Sequence, residues 1–199
     1  MFSTRGDIPW YYPRDWHLDR PFCGGTLISD RHVLTAAHCM GNTFEVVVGE
    51  HHYTSTDDGT RHKVCSVVNH PKRQRGSQSY DFAIITLKEP VQLGARAVPA
   101  CLPESTEFGG SFLDDKTMTV SGWGVLRRGG DSPTELHSVD VPGISNEQCA
   151  NLYRPYGDRI TEDMMCAGHA NGGIDSCQGD SGGKKILNAS GNIMCYFFI

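Results

Sequence analysis

The stretch Asp175-Ser176-Cys177-Gln178-Gly179-Asp180-Ser181-Gly182-Gly183 sets a serine among three glycines. Glycine has no Cβ, so the backbone on either side of Ser181 can approach a substrate closely, which makes Ser181 a candidate nucleophile. A serine hydroxyl attacks poorly at neutral pH. It needs a base, and the base needs a group that holds it in one tautomer. Two upstream segments offer candidates. Thr35-Ala36-Ala37-His38-Cys39 places a histidine after small residues and beside a cysteine whose crosslink can fix the backbone, and Tyr80-Asp81-Phe82-Ala83-Ile84-Ile85-Thr86-Leu87 places an aspartate at the mouth of an apolar strand. Taken singly, His38 reads as a solvated or structural histidine and Asp81 as a turn residue.

Around these segments, short apolar runs alternate with turn residues: Phe22–Ile28, Phe44–Val48, Val64–Val68, Phe82–Leu87 and Met118–Val125. This spacing predicts successive strands. One helix is expected, Ser145–Tyr153, with Ser145 as N-cap and Glu147 in the first turn, where negative charge favours the helix dipole. The class is therefore all-β. Periodicity fades between Pro99 and Asp115, which predicts a connection between two halves, residues 1–110 and 111–199. The basic run Lys72-Arg73-Gln74-Arg75 reads as a solvated loop.

Composition narrows the function. The chain has 199 residues, 38% hydrophobic, 21% charged, with 23 glycines, which describes a folded, loop-rich protein. A net charge of -5 without a basic stripe argues against nucleic acid as a partner. No apolar run approaches the roughly 20 residues a membrane helix needs. No apolar signal region is visible in residues 1–16. The eight cysteines show no zinc spacing, and their wide distribution points to disulfides and a secreted protein. Asn188-Ala189-Ser190 is a glycosylation sequon that agrees weakly with export.

In the chain order His38, Asp81, Ser181, the three segments together resemble the chymotrypsin/trypsin family of serine peptidases. The likeness extends from Gly6-Asp7-Ile8-Pro9-Trp10 to the end, through Phe22–Ile28, Gly49-Glu50-His51, Ala100-Cys101-Leu102-Pro103 and Ser121-Gly122-Trp123-Gly124. It implies two packed antiparallel six-stranded-type β-barrels with the active site between them. His38 would be the general base and then acid, Asp81 its orienting carboxylate, and Ser181 the nucleophile that forms an acyl-enzyme. The N–H groups of Gly179 and Ser181 would form the oxyanion hole. Asp175 and Gln178 would line the substrate pocket, with Asp175 selecting Arg or Lys.

The resemblance also pairs Cys23 with Cys39 and Cys149 with Cys166. It gives Cys177 a partner further downstream that this chain lacks, links Cys101 to an upstream segment, and names none for Cys65 or Cys195. Expected partners are protein or peptide substrates and protein inhibitors. No cofactor is implied. The loop bracketed by Glu50 and Asp58 resembles the calcium loop of some members, but Arg61 falls near an expected acid.

The sequence departs from the family pattern at both ends. No Ile-Val-Gly-Gly-type segment precedes Gly6, so the family's terminal ammonium is expected to be missing from Asp180 and the oxyanion hole to be zymogen-like. Lys184 replaces the usual proline, and the strands that wall the pocket are expected to be absent, leaving the second barrel incomplete and prone to association. The leading expectation is a serine endopeptidase. The alternative is a catalytically inactive homologue that keeps the fold as a binding module.

Overall fold

The computed structural model describes residues 2–6, 21–41, 44–54, 59–102, 116–127, 129–157, 160–169, 179–189 and 192–197, with backbone alone for 2–6, 184–189 and 192–197. Asp58, residues 103–115, Asp175, Cys177 and Gln178 lie outside this set, as do the side chains of Asn188 and Cys195.

Six antiparallel strands form a closed barrel: β1 (Phe2–Gly6), β2 (Cys23–Leu27), β3 (His32–Ala36), β4 (Phe44–Val48), β5 (Thr60–Asn69) and β6 (Phe82–Leu87). Their order is β1-β2-β3-β6-β5-β4, and β4 closes the ring on β1 with Phe2 opposite Val48. On β6 the inward residues are Ala83, Ile85 and Leu87, the two-residue period of a strand with one buried face. Ile85 and Leu87 meet Leu27, Val33, Val46, Val48 and Val91 in one apolar core. Closure removes unpaired edges from this half.

The second half is an open sheet of five described strands, β7 (Thr117–Gly122), β8 (His137–Ile144), β9 (Cys166–Ala167), β10 (Lys184–Ala189) and β11 (Asn192–Phe197), in the order β11-β10-β7-β8-β9. Met118, Val120 and Val141 are buried on it. The expected helix is present as α1 (Asn146–Tyr153), and the Ser145 hydroxyl caps it by accepting the Gln148 N–H at 3.2 Å. Cys149 of α1 is bonded to Cys166 of β9, and Cys23 of β2 to Cys39. Cys65 and Cys101 are free and exposed.

The described residues are thus all-β in class, with one closed barrel and, in the second half, an open sheet of five strands. Six of the described strands, β1, β3, β8, β9, β10 and β11, lie outside the apolar runs of the sequence. β3 is a five-residue run that leads straight into the His38 segment. β8 carries Pro142 and Gly143, which break the alternating pattern. β1 ends at Gly6, where the family likeness begins.

Candidate active site

Ala36, the last residue of β3, leads into a 3-10 turn, Ala37–Cys39, that lifts His38 out of the barrel wall. Cys39 is tied back to β2 through Cys23, so the backbone on the far side of His38 is crosslinked. Asp81 precedes β6, the strand paired with β3, with Ala36 opposite Phe82. Register therefore sets the histidine and the aspartate side by side. Asp81 Oδ2 lies 2.6 Å from His38 Nδ1, and Asp81 Oδ1 accepts the His38 backbone N–H at 2.8 Å. The Ala37 N–H also donates to the Asp81 carbonyl at 3.1 Å. The carboxylate is 3% exposed and the imidazole 41% exposed, so the acid is sealed in while the base faces solvent on its other side.

Ser181 reaches this corner from the second half through its backbone. The Gly24 N–H donates to the Ser181 carbonyl at 2.7 Å, and that oxygen lies 3.8 Å from Sγ of Cys39, the neighbour of His38. Gly182 has φ +75, and a Cβ there would run into the Thr35 hydroxyl and the Gly24 carbonyl. A left-handed glycine with no side chain is what lets the serine turn dock onto β2 and β3. Among the described residues, no hydrogen bond joins the Ser181 hydroxyl to His38. The expected bridge from carboxylate through imidazole to hydroxyl is therefore made on the Asp81 side, while Ser181 is placed by its main chain. Catalytic hydrogen bonds of this kind are often long in unliganded enzymes.

The other sequence candidates divide. Gly179 has φ +99, and a Cβ there would lie 3.2 Å from Gly124 Cα. Asp180 is in contact with the same strand end, its Oδ1 accepting the Gly124 N–H at 2.8 Å. The carboxylate occupies the space that side chains at Gly122 and Gly124 would fill. Against the expectation of an unpaired Asp180, the described residues give its carboxylate a backbone N–H donor. Asp175 and Gln178 lie outside the described residues, and so does Asp58 of the calcium expectation. Among the described residues, the cluster with metal-ligand spacing is Cys23, His38 and Cys39, but its two sulfurs are bonded to each other and offer no thiolate.

Two residues that matter here were not singled out. Arg73 Nε lies 3.0 Å from Asp81 Oδ1, with the arginine side chain 15% exposed. The solvated reading of the run 72–75 is corrected at this position: Lys72 and Arg75 are exposed, but Arg73 turns inward toward a buried carboxylate. Asp163 comes from the loop before β9 and accepts from the Tyr80 backbone N–H at 2.6 Å and the Ser79 hydroxyl at 2.7 Å. Burial works against its charge, but hydrogen bonds from Tyr80, Ser79, Thr161 and its own N–H hold the carboxyl below its ordinary range. The residue it grips, Tyr80, has φ +53, stacks on His70 at 4.9 Å and carries Lys72 Nζ 5.0 Å from its ring centroid. No local pattern marks Asp163. For Arg73 the cue was a basic residue eight positions before a candidate catalytic acid.

Sequence comparison agrees with this geometry. The profile of the family described as Trypsin matches residues 3–191. The chain is 37% identical over 198 residues to Venom serine protease Bi-VSP of Bombus ignitus, covering 93% of this chain and 55% of that protein. It is 38% identical over 169 residues to Trypsin of Simulium vittatum, covering 83% and 66%. It is 31% identical over 205 residues to Mannan-binding lectin serine protease 1 of Rattus norvegicus, covering 92% and 28%. The chain thus spans from 28% to 66% of the length of these relatives.

Proposed function

From the premise that this chain belongs to the trypsin family of serine peptidases, we propose that it hydrolyses peptide bonds after Arg or Lys, with His38, Asp81 and Ser181 as the catalytic residues. The observation that carries the reading is the contact of His38 Nδ1 with the buried carboxylate of Asp81 at 2.6 Å. A carboxylate on Nδ1 keeps the proton there and leaves Nε2 as the basic nitrogen.

In the proposed reaction, Nε2 of His38 takes the hydroxyl proton as Ser181 Oγ attacks the scissile carbonyl. The imidazolium is stabilised by Asp81. It returns the proton to the leaving amine, and an acyl-enzyme remains on Ser181. Water, activated by the same nitrogen, hydrolyses it. Backbone N–H groups of Gly179 and Ser181 would hold the oxyanion, each such donor being worth roughly 100- to 1000-fold in rate. Asp175, by family likeness, would pair with a basic substrate side chain at the base of the pocket, beside Gln178. Residues 1–110 would supply the base and its aspartate, and 111–199 the nucleophile and pocket.

The two disulfides fit an oxidising compartment, and we place the protein outside the cell on that ground. Among the described residues no helix is long and apolar enough to cross a membrane. A binding module without turnover is the second reading.

Hydrolysis of an Arg-ending chromogenic peptide by the chain and by Ser181→Ala separates the two. The peptidase reading expects a loss of at least about 10⁴-fold in kcat in the variant. Equal rates would retire it. A parallel Asp175→Ser variant is expected to lose Arg and Lys substrates while retaining labelling of Ser181 by a fluorophosphonate.

A further inference from the structure

Arg73 is a half-buried cation that the proposed chemistry leaves unused. Its guanidinium is anchored from two sides. Nε contacts Asp81 Oδ1 at 3.0 Å, and NH1 donates to the carbonyl oxygens of Gln74, at 2.8 Å, and Ser77. The loop is closed around it by its own turns: the Arg73 N–H donates to the His70 carbonyl at 2.9 Å and the Ser77 N–H to the Gln74 carbonyl at 3.1 Å. The arginine is built into the loop, aimed at the acid beside His38.

The consequence lies in the rotation of the Asp81 carboxylate. The torsion that turns an aspartate carboxylate is soft, with broad, roughly two-fold preferences, so packing and donors must set its plane. Oδ1 already accepts the His38 backbone N–H at 2.8 Å. One donor leaves the group free to pivot about that bond. The Arg73 guanidinium, whose Nε lies 3.0 Å from the same oxygen, opposes that pivot by ion pairing and keeps Oδ2 toward His38 Nδ1, 2.6 Å away. A carboxylate only 3% exposed also needs an opposing charge, which a guanidinium supplies in a fixed direction. A lysine can bring the charge but cannot contact the carboxylate and two carbonyls through a planar fork. The same positive charge weakens the field that Asp81 exerts on the imidazolium, so what Arg73 adds to the pair is the orientation of the carboxylate.

We propose that Arg73 is a positioning residue of the His38–Asp81 pair, fixing the carboxylate plane through Asp81 Oδ1 so that Oδ2 holds the Nδ1 proton of His38. The consequence for turnover rests on the peptidase reading, but the orientation itself does not. Two measurements on the full chain therefore go together.

The first is the downfield proton NMR resonance of the hydrogen-bonded His38 Nδ1–H, assigned by its disappearance in His38→Ala. In Arg73→Gln this resonance is expected to broaden or vanish, and in Arg73→Lys to persist with faster solvent exchange. The second is turnover of the Arg-ending peptide. Arg73→Gln is expected to lower kcat about 10- to 100-fold, in the range that misplacement of a catalytic group produces, with little change in KM. Arg73→Lys should fall between, and guanidinium ion well below denaturing concentrations should restore part of the rate to Arg73→Ala. If Arg73→Gln does not fold, the lysine variant carries both readings. An unchanged resonance in folded Arg73→Gln, or in Arg73→Lys where only that variant folds, overturns the proposal whether or not the chain turns over substrate. With an active chain, an unchanged kcat does the same. Wild-type turnover equal to that of Ser181→Ala, with the resonance still lost in Arg73→Gln, rejects the peptidase reading and leaves the positioning role standing.

Discussion

The carboxylate of Asp163 accepts the backbone N–H of Tyr80 at 2.6 Å, across 83 residues of sequence. Tyr80 sits in the left-handed region at φ +53, a conformation that costs a non-glycine residue on the order of 1 kcal/mol or more. The next residue is Asp81. A loop of the second half therefore holds the backbone that delivers the buried acid to His38. The two halves are joined here as well as at the contact of Gly24 with Ser181.

Replacing Asp163 by Ala removes the acceptor for both Tyr80 and Ser79. Charged hydrogen bonds are worth about 1.5–3 kcal/mol when sheltered, and the partial exposure of Asp163 discounts this to about 1 kcal/mol. The urea midpoint is expected to fall accordingly, and kcat for an Arg-ending peptide to fall several-fold as Asp81 loses its support. A variant matching wild type in both would show that Tyr80 holds its conformation unaided.

Asp163 also predicts an acid dependence. Its folded-state carboxyl titrates below the ordinary value of 3.8, so the folded protein binds this proton more weakly than the unfolded chain. The resulting stability is present above about pH 4 and is lost as the pH falls through 3.8 toward the depressed folded value. Urea unfolding of wild type and Asp163→Asn from pH 7 to pH 3, values chosen to bracket roughly the carboxylate range, should show a constant gap that narrows at the acid end. A gap that widens there would reverse the sign of the shift.

The Cys23–Cys39 bond closes a loop with a sequence separation of 16. Chain-entropy arguments assign such a crosslink about 3 kcal/mol. A Cys23→Ala, Cys39→Ala double variant is expected to lose this much in equilibrium unfolding. It should also lose more activity than a Cys149→Ala, Cys166→Ala variant, because only the first bond adjoins His38. Equal activity losses would separate the crosslink from the placement of the histidine.

Gly124 leaves the space that the Asp180 carboxylate fills, and its N–H binds that carboxylate. Gly124→Ala puts a methyl into occupied space and must displace Asp180, which adjoins Ser181. We expect kcat to drop at least about 10-fold, as displacement of reacting groups commonly does, and labelling of Ser181 by a fluorophosphonate to slow in parallel. Labelling at the wild-type rate would show that the serine turn tolerates the shift.

Local chemistry was readable from the residues. The glycines around Ser181, the small residues before His38 and the apolar run after Asp81 are contiguous patterns, and the family profile agrees with the reading they led to. The same holds for β4, β6 and α1, where a contiguous apolar run, a two-residue period or an N-cap with an acidic first turn lies within one short window. The expected calcium loop and specificity pocket fall on Asp58, Asp175 and Gln178, which lie outside the described residues.

Folding alone chose the direction in which loop side chains point. Lys72, Arg73 and Arg75 look alike in sequence, and nothing periodic in a loop says which of them turns inward. Arg73 does so because the barrel register carries a buried carboxylate to within 3.0 Å of its guanidinium, where an unpaired charge would be costly. Asp163 likewise became an anchor only once the second half brought it to a left-handed tyrosine. Identity and local order belong to the chain, whereas long-range charge pairing exists only after distant segments share one low-dielectric corner.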